Sequence, residues 1–127
     1  MGFLERHKQE KLVTFVRFVK DKLELKNSPT IKLLNGRGEL KTTALYNYSN
    51  PEKVIKVNAK NRHIVDVMRS VAHELVHHKQ FEDGRLDGDK PPDIGGDIED
   101  EANSLAGQFI KLFAQEDNTI YDEWKID

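Results

Sequence analysis

Apolar side chains recur at helical spacing near the start of the chain. Leu12, Phe15, Val16, Val19 and Leu23 fall at i, i+3, i+4, i+7 and i+11, the stripe of an amphipathic helix that ends before Asn27-Ser28-Pro29. Three short strand patterns follow. They are Thr30–Leu34, then Leu40–Tyr48 after the turn Asn35-Gly36-Arg37-Gly38, then Lys53–Asn58 after Asn50-Pro51, with Ile55 and Val57 alternating. Strands this close in sequence are expected to pair antiparallel. Helical spacing returns over Ile64–Glu82, where Ile64, Met68, Val71 and Leu75 form one stripe. Asp83–Gly96 then brings four glycines and Pro91-Pro92, which reads as a loop. Asp97 resembles a helix N-cap, and Ile98, Ala102, Leu105, Ala106, Phe109 and Phe113 mark the stripe of a last long helix. Residues 115–127 are polar apart from Ile120, Tyr121, Trp124 and Ile126, a tail that docks or frays. The order predicts one α+β domain: helix, three-stranded antiparallel sheet, helix, helix.

Length and composition narrow the picture. A chain of 127 residues builds one core but no large separate substrate-binding domain. Charged residues make up 33% and mean hydropathy is -0.68, and no apolar run approaches the ~20 residues that span a bilayer. The opening Met1-Gly2-Phe3-Leu4-Glu5-Arg6 lacks a signal-peptide core, and Arg6 spoils a myristoylation signal, so a cytoplasmic protein is expected. The absence of cysteine removes disulfides, thiolate metal sites and cysteine nucleophiles together, leaving nitrogen and oxygen as metal ligands. The net charge of -2 hides a dipole: residues 1–62 carry 14 basic and 6 acidic side chains, residues 63–127 carry 6 and 16. A basic half can attract nucleic acid, although Lys20, Lys22 and Lys26 also fit the solvated face of a helix, and no nucleic-acid motif is visible.

The chemistry concentrates in the second helix. His73-Glu74-Leu75-Val76-His77 is an HExxH motif: residues four apart share a helix face, so both imidazoles can reach one metal, with Glu74 beside a metal-bound water as general base. The apolar stripe centres on the side opposite His73 and His77, which predicts a helix packed by one face and presenting its histidines on the other. Catalytic zinc takes three protein ligands and an open position. No histidine follows His78, and Gln80 and Asp83 stand where the longer HExxHxxGxxH motif needs glycine and histidine, so a downstream third ligand has to be a carboxylate. Within Asp97-Ile98-Glu99-Asp100-Glu101, Glu99 shares the arc of the apolar stripe, whereas Asp100 points away and Glu101 lies just outside the opposite edge. Asn103, one turn after Glu99, can hydrogen-bond a ligand histidine or Glu99. Glu99 could instead be a first-turn acid stabilised by the helix dipole.

The segment Glu99-Asp100-Glu101-Ala102-Asn103-Ser104-Leu105-Ala106, about two dozen residues after HExxH, resembles the E-x-x-A-[ND]-x-x-A helix of small gluzincin metallopeptidases. The likeness is to ImmA/IrrE-type proteins and short stand-alone phage domains, over roughly residues 53–113. Val76 and His78 depart from the Gly and apolar residue often found around the second histidine, and the Leu-Met-Pro-like end of the glutamate helix is absent. The resemblance implies a zincin-like minimal fold, one zinc ion held by His73, His77 and Glu99, and peptide hydrolysis with Glu74 as base. It also implies a peptide or protein substrate extended along a sheet edge, offered by Lys53–Asn58 or Leu40–Tyr48. The acidic loop Asp83–Gly96 would border the cleft and favour basic peptides, while its Asp87-Gly88-Asp89 spacing does not fit an EF-hand. Tyr46, Tyr48, His78 and Tyr121 are the candidate oxyanion donors, although His78 sits at the margin of the apolar stripe, where a hydrogen-bonded, half-buried role is expected. His63 and His7 read as surface residues. A narrow-specificity zinc metallopeptidase is thus the leading expectation. The alternatives are a regulatory or DNA-associated protein retaining a metal site, or a structural phage component; an intact Glu74 argues against a purely structural zinc.

Overall fold

The computed structural model describes residues 6–35, 44–47, 53–86 and 96–122. In chain order the elements are α1 (Arg6–Leu23), β1 (Thr30–Leu34), β2 (Ala44–Asn47), β3 (Val54–Asn58), α2 (Ile64–Glu82), α3 (Gly96–Glu116) and a short 3₁₀ turn, Asn118–Asp122. The architecture is α+β, three helices with a small mixed sheet. No described helix is long and apolar enough to cross a membrane.

The sheet departs from the expected antiparallel meander. Its order is β1-β3-β2; β3 runs parallel to β1, with Ile31 opposite Ile55, and antiparallel to β2, with Tyr46 opposite Ile55. The physical reason lies in β3, which contributes the buried Val54, Ile55 and Val57. The most apolar strand takes the centre, where both neighbours cover it. Sequence adjacency therefore gives the wrong pairing for β1, and Lys53–Asn58 is an interior strand rather than a sheet edge. Between the two segments expected to offer an edge, the edge belongs to β2. The outer parts of Leu40–Tyr48, and residues 87–95 of the expected acidic loop with Asp87-Gly88-Asp89, lie outside the described residues.

Helix α2 is the centre of the molecule. Twelve of its residues are buried, including His77, His78, Glu74 and Gln80, so the expected single packing face is corrected to burial on most sides. The stripe Ile64, Met68, Val71 and Leu75 enters the core as expected, while α3 covers the histidine face and the sheet covers a third. His63 begins the helix as its N-cap, its Nδ1 accepting from the Val65 N–H at 3.1 Å, a more specific role than a surface residue. At the other end the chain turns at Gly84, whose φ of 77° suits glycine, and the Arg85 N–H closes onto the Gln80 carbonyl at 2.8 Å.

Helix α1 buries Leu12, Phe15, Val19 and Leu23, the residues of its stripe. Phe15 and Phe18 both meet Phe113 of α3 edge-on, with ring centroids 5.3 and 5.6 Å apart. Helix α3 starts at Gly96, so Asp97 falls inside the first turn beside Glu99 instead of capping it; both acids favour the positive end of the helix dipole. After α3 the chain docks: Ile120 is fully buried, and Lys11 Nζ pairs with Asp117 Oδ2 at 2.9 Å. Trp124 and Ile126 lie outside the described residues.

Candidate metal centre

Two i,i+4 rows on adjacent faces of α2 organise the site. His73 and His77 look toward α3, while Glu74 and His78, followed by Glu82, look toward β2 and the α1–β1 connection. The one-residue offset places a candidate base next to a candidate ligand while giving each a different set of supports.

The first row meets Glu99. His77 Nε2 lies 2.6 Å from Glu99 Oε1, His73 Nε2 lies 3.3 Å from Glu99 Oε2, and the two Nε2 atoms are 3.1 Å apart. The two imidazole planes are inclined at 85°. One ligand atom from each of the three residues falls within 4.8 Å of the others, so the structure assembles a possible metal-binding cluster from His73, His77 and Glu99. Its dimensions fit a small cation. Tetrahedral zinc with bonds of about 2.0–2.1 Å separates its ligands by about 3.3–3.4 Å, near the 3.1 and 3.3 Å contacts; the 2.6 Å contact is of hydrogen-bond length.

The donor chemistry gives a stricter test. Gln80, fully buried, donates through Nε2 to the Ile98 carbonyl and to Glu101 Oε1, each at 3.0 Å. Its amide oxygen is therefore the atom that meets His77 Nδ1 at 2.8 Å, and His77 donates there. In the neutral ring this leaves a lone pair on Nε2, directed at a carboxylate oxygen and a second imidazole nitrogen. Such a convergence of acceptors calls for a cation or a proton at its centre. Burial, then the neighbouring His77, hold the His73 pKa below its ordinary value against the pull of Glu99 and of a hydrogen bond to the Asn103 side chain. A depressed pKa favours the neutral form that binds metal.

The second row holds Glu74. Its Oε2 is 3.9 Å from His73 Nε2, beside the cluster but outside it. Burial pushes its carboxyl up to about 8, with the charge of Glu99 adding to the rise and the Tyr46 backbone N–H opposing it. His78, one turn on, is buried with Nδ1 2.6 Å from the Tyr46 hydroxyl and Nε2 3.0 Å from the Asn27 carbonyl oxygen. Glu82 Oε2 lies 3.2 Å from the same Nε2, and the Glu82 carboxylate accepts the backbone N–H groups of Lys26 and Asn27 at 2.9 and 2.8 Å.

These contacts sort the candidate oxyanion donors. The Tyr46 hydroxyl meets His78 Nδ1 inside the core while His78 Nε2 faces Asn27 and Glu82, and His78 is more deeply buried than the half-buried position expected of it. Tyr121 is exposed beyond the C-terminal end of α3, whereas Glu99 sits in the first turn, about 25 Å away along the helix at 1.5 Å per residue. Tyr48 lies outside the described residues. Gln80 and Glu82 were missed from sequence. In the sequence Gln80 figures only as a departure from a longer motif, although a polar residue one turn after the second histidine is itself a signal; Glu82 figures only as the end of the helix.

No family model matches this chain, and no curated protein or solved structure is significantly similar to it.

Proposed function

We propose that the protein is a zinc-dependent metallopeptidase of narrow specificity, with a zincin-like minimal fold in which His73, His77 and Glu99 hold the ion and Glu74 is the general base. The single observation that carries this reading is the placement of the buried Glu74 carboxylate 3.9 Å from a nitrogen of the acceptor cluster. A structural metal needs ligands; it does not need a buried acid of shifted pKa at its side that is not itself a ligand. Two imidazoles and a carboxylate suit zinc among the common divalent ions. When bound, zinc would supply Lewis acidity, polarising a peptide carbonyl and making water a nucleophile near neutral pH.

The residues of the chain supply the rest. Glu74 accepts a proton on its carboxylate and returns it to the leaving amine, a role suited to a carboxyl whose burial raises its proton affinity above that of an ordinary glutamate. The Tyr46 N–H fixes that carboxylate in place. Asn103 and Gln80 orient the two imidazoles from behind. Strand β2, which carries Tyr46 and lies at the sheet edge, is the element along which an extended peptide substrate would be read.

The test is a peptide-library digestion with zinc-loaded protein, run beside Glu74→Gln. Cleavage by wild type, with metal retained but cleavage lost in Glu74→Gln, supports the reading. Stoichiometric zinc in both proteins with no cleavage by either would replace it with a metal-binding, non-proteolytic role.

A further inference from the structure

Gln80 touches both sides of the ligand cluster without belonging to it. From one fully buried side chain it accepts from His77 Nδ1 at 2.8 Å and donates at 3.0 Å to the carbonyl of Ile98, the residue immediately before Glu99. Its second amide proton goes to Glu101 Oε1 at 3.0 Å, and that carboxylate is held in turn by Arg85 at 2.6 Å. Both partners of the amide nitrogen can only accept, so the amide cannot turn over without placing oxygen against oxygen at two contacts.

This fixed orientation bears on a competition inside the cluster. His77 has two ways to be neutral. With its proton on Nδ1 it satisfies Gln80 and offers Nε2 as a ligand atom. With its proton on Nε2 it would donate to Glu99 Oε1, 2.6 Å away, closing the site on itself and leaving the Gln80 oxygen facing a lone pair in a buried setting, which is costly. Gln80 penalises the second state. It also ties the first turn of α3 to α2 at the point where Glu99 must arrive.

We propose that Gln80 is a positioning residue for the metal site, selecting the ligating tautomer of His77 and setting the approach of Glu99. The proposal rests on the reading of His73, His77 and Glu99 as metal ligands. A residue that acts in this way from behind a ligand histidine typically changes metal affinity by about 10- to 100-fold.

The experiment is a chelator competition that measures zinc affinity of the full chain for wild type, Gln80→Met, Gln80→Glu and the double variant Gln80→Glu/Glu101→Gln, with thermal unfolding of each metal-free protein alongside. Gln80→Met keeps volume and loses both polar functions, so about 10- to 100-fold weaker zinc binding is expected. Gln80→Glu restores an acceptor for His77 but sets two carboxylates against one another. The double variant exchanges donor and acceptor at the contact with residue 101 but leaves the Ile98 carbonyl without its donor, so its affinity should recover the part of the loss in Gln80→Glu that comes from the two opposed carboxylates, which a residue serving packing alone would not produce. In the metal-free proteins, where no ion dictates the tautomer, a His77 Nδ1–H seen by NMR in wild type and in the double variant, replaced by Nε2–H in Gln80→Met, would report the tautomer directly. Equal zinc affinity in wild type and Gln80→Met overturns the proposal while leaving the metal reading standing. If Gln80→Met does not fold, a double variant that binds zinc no more tightly than Gln80→Glu overturns it instead. Absence of zinc binding in folded wild type overturns the metal reading first and this proposal with it.

Discussion

Tyr46 donates its hydroxyl proton to His78. The direction follows from the far side of the ring, where His78 Nε2 faces the Asn27 carbonyl at 3.0 Å and Glu82 at 3.2 Å. Both accept, so Nε2 carries the hydrogen and Nδ1, 2.6 Å from the hydroxyl, receives one. The same tyrosine gives its backbone N–H to Glu74. Strand β2 is thus fastened to α2 at two points one helical turn apart.

Tyr46→Phe should leave a buried ring nitrogen without a donor, costing about 1–3 kcal/mol of stability, read as a lower urea midpoint. Zinc affinity should not change, because the hydroxyl is engaged with His78, which is not one of the proposed ligands. Activity at a temperature where the variant is folded should fall less than about tenfold. A fall of 100- to 1,000-fold in kcat, the size seen when an oxyanion donor is removed, would return the hydroxyl to the reaction.

The raised pKa of Glu74 predicts how the metal-free protein responds to pH. Below the ordinary carboxyl value of 4.5 the group is neutral in both folded and unfolded chains, and its burial carries no charge penalty. Between there and about 8 the unfolded chain ionises first, so the folded state loses stability as pH rises. Glu74→Gln removes this dependence. Metal-free Glu74→Gln should therefore exceed wild type by a few kcal/mol at pH 8 and by much less at pH 5, as measured by urea unfolding at the two pH values. A stability difference that is the same at both would refute the assignment. Added zinc should flatten the slope for wild type, since a nearby cation draws a carboxyl pKa down.

Glu99→Gln separates two roles of one carboxylate. Without metal it removes the negative charge that helps raise Glu74, so the metal-free variant should be at least as stable as wild type at pH 8. With metal the order should reverse. A ligand at a hundred times its Kd stabilises the folded state by about 2.7 kcal/mol, and the variant should lose most of that gain. Differential scanning fluorimetry with and without zinc reads both arms, and an unchanged zinc-induced shift would remove Glu99 from the ligand set.

Far from the site, Phe113 packs edge-on against both Phe15 and Phe18. Phe113→Ala should cost about 3–5 kcal/mol, seen as a large drop in melting temperature. Metal stoichiometry at low temperature should stay unchanged, because this contact lies at the end of α3 opposite Glu99. Loss of metal from a still-folded variant would contradict that separation.

The helices were legible in the sequence because each carries a clear 3.6-residue stripe: Leu12 to Leu23, Ile64 to Leu75, Ile98 to Phe113. The convergence of His73 and His77 was legible from spacing, and Glu99 from its angular position, since these depend on local helix geometry. What failed was long-range. Nothing in the alternation of β1 and β3 says that β2 will be passed over, because strand order is decided by which strand needs covering on both sides. Tyr46 stands unranked among the candidate oxyanion donors in the sequence because its partner is 32 residues away. Gln80 offered only its place one turn after His77; its role depends on three partners, two of them on another helix.

The supports of the two rows on α2 differ in where they lie along the chain. Glu74 and His78 are held by residues that precede them, Tyr46 and Asn27, the latter 51 positions before His78. His77 and Gln80 are held by residues that follow, with Ile98 18 positions after Gln80. During vectorial synthesis, with the amino-terminal segments available first, every partner that fixes Glu74 and His78 exists once α2 emerges, whereas His73 and His77 must wait for α3. The base is therefore anchored by chain already made, and the histidines gain their third companion only after the following loop and the first turn of α3 have left the ribosome.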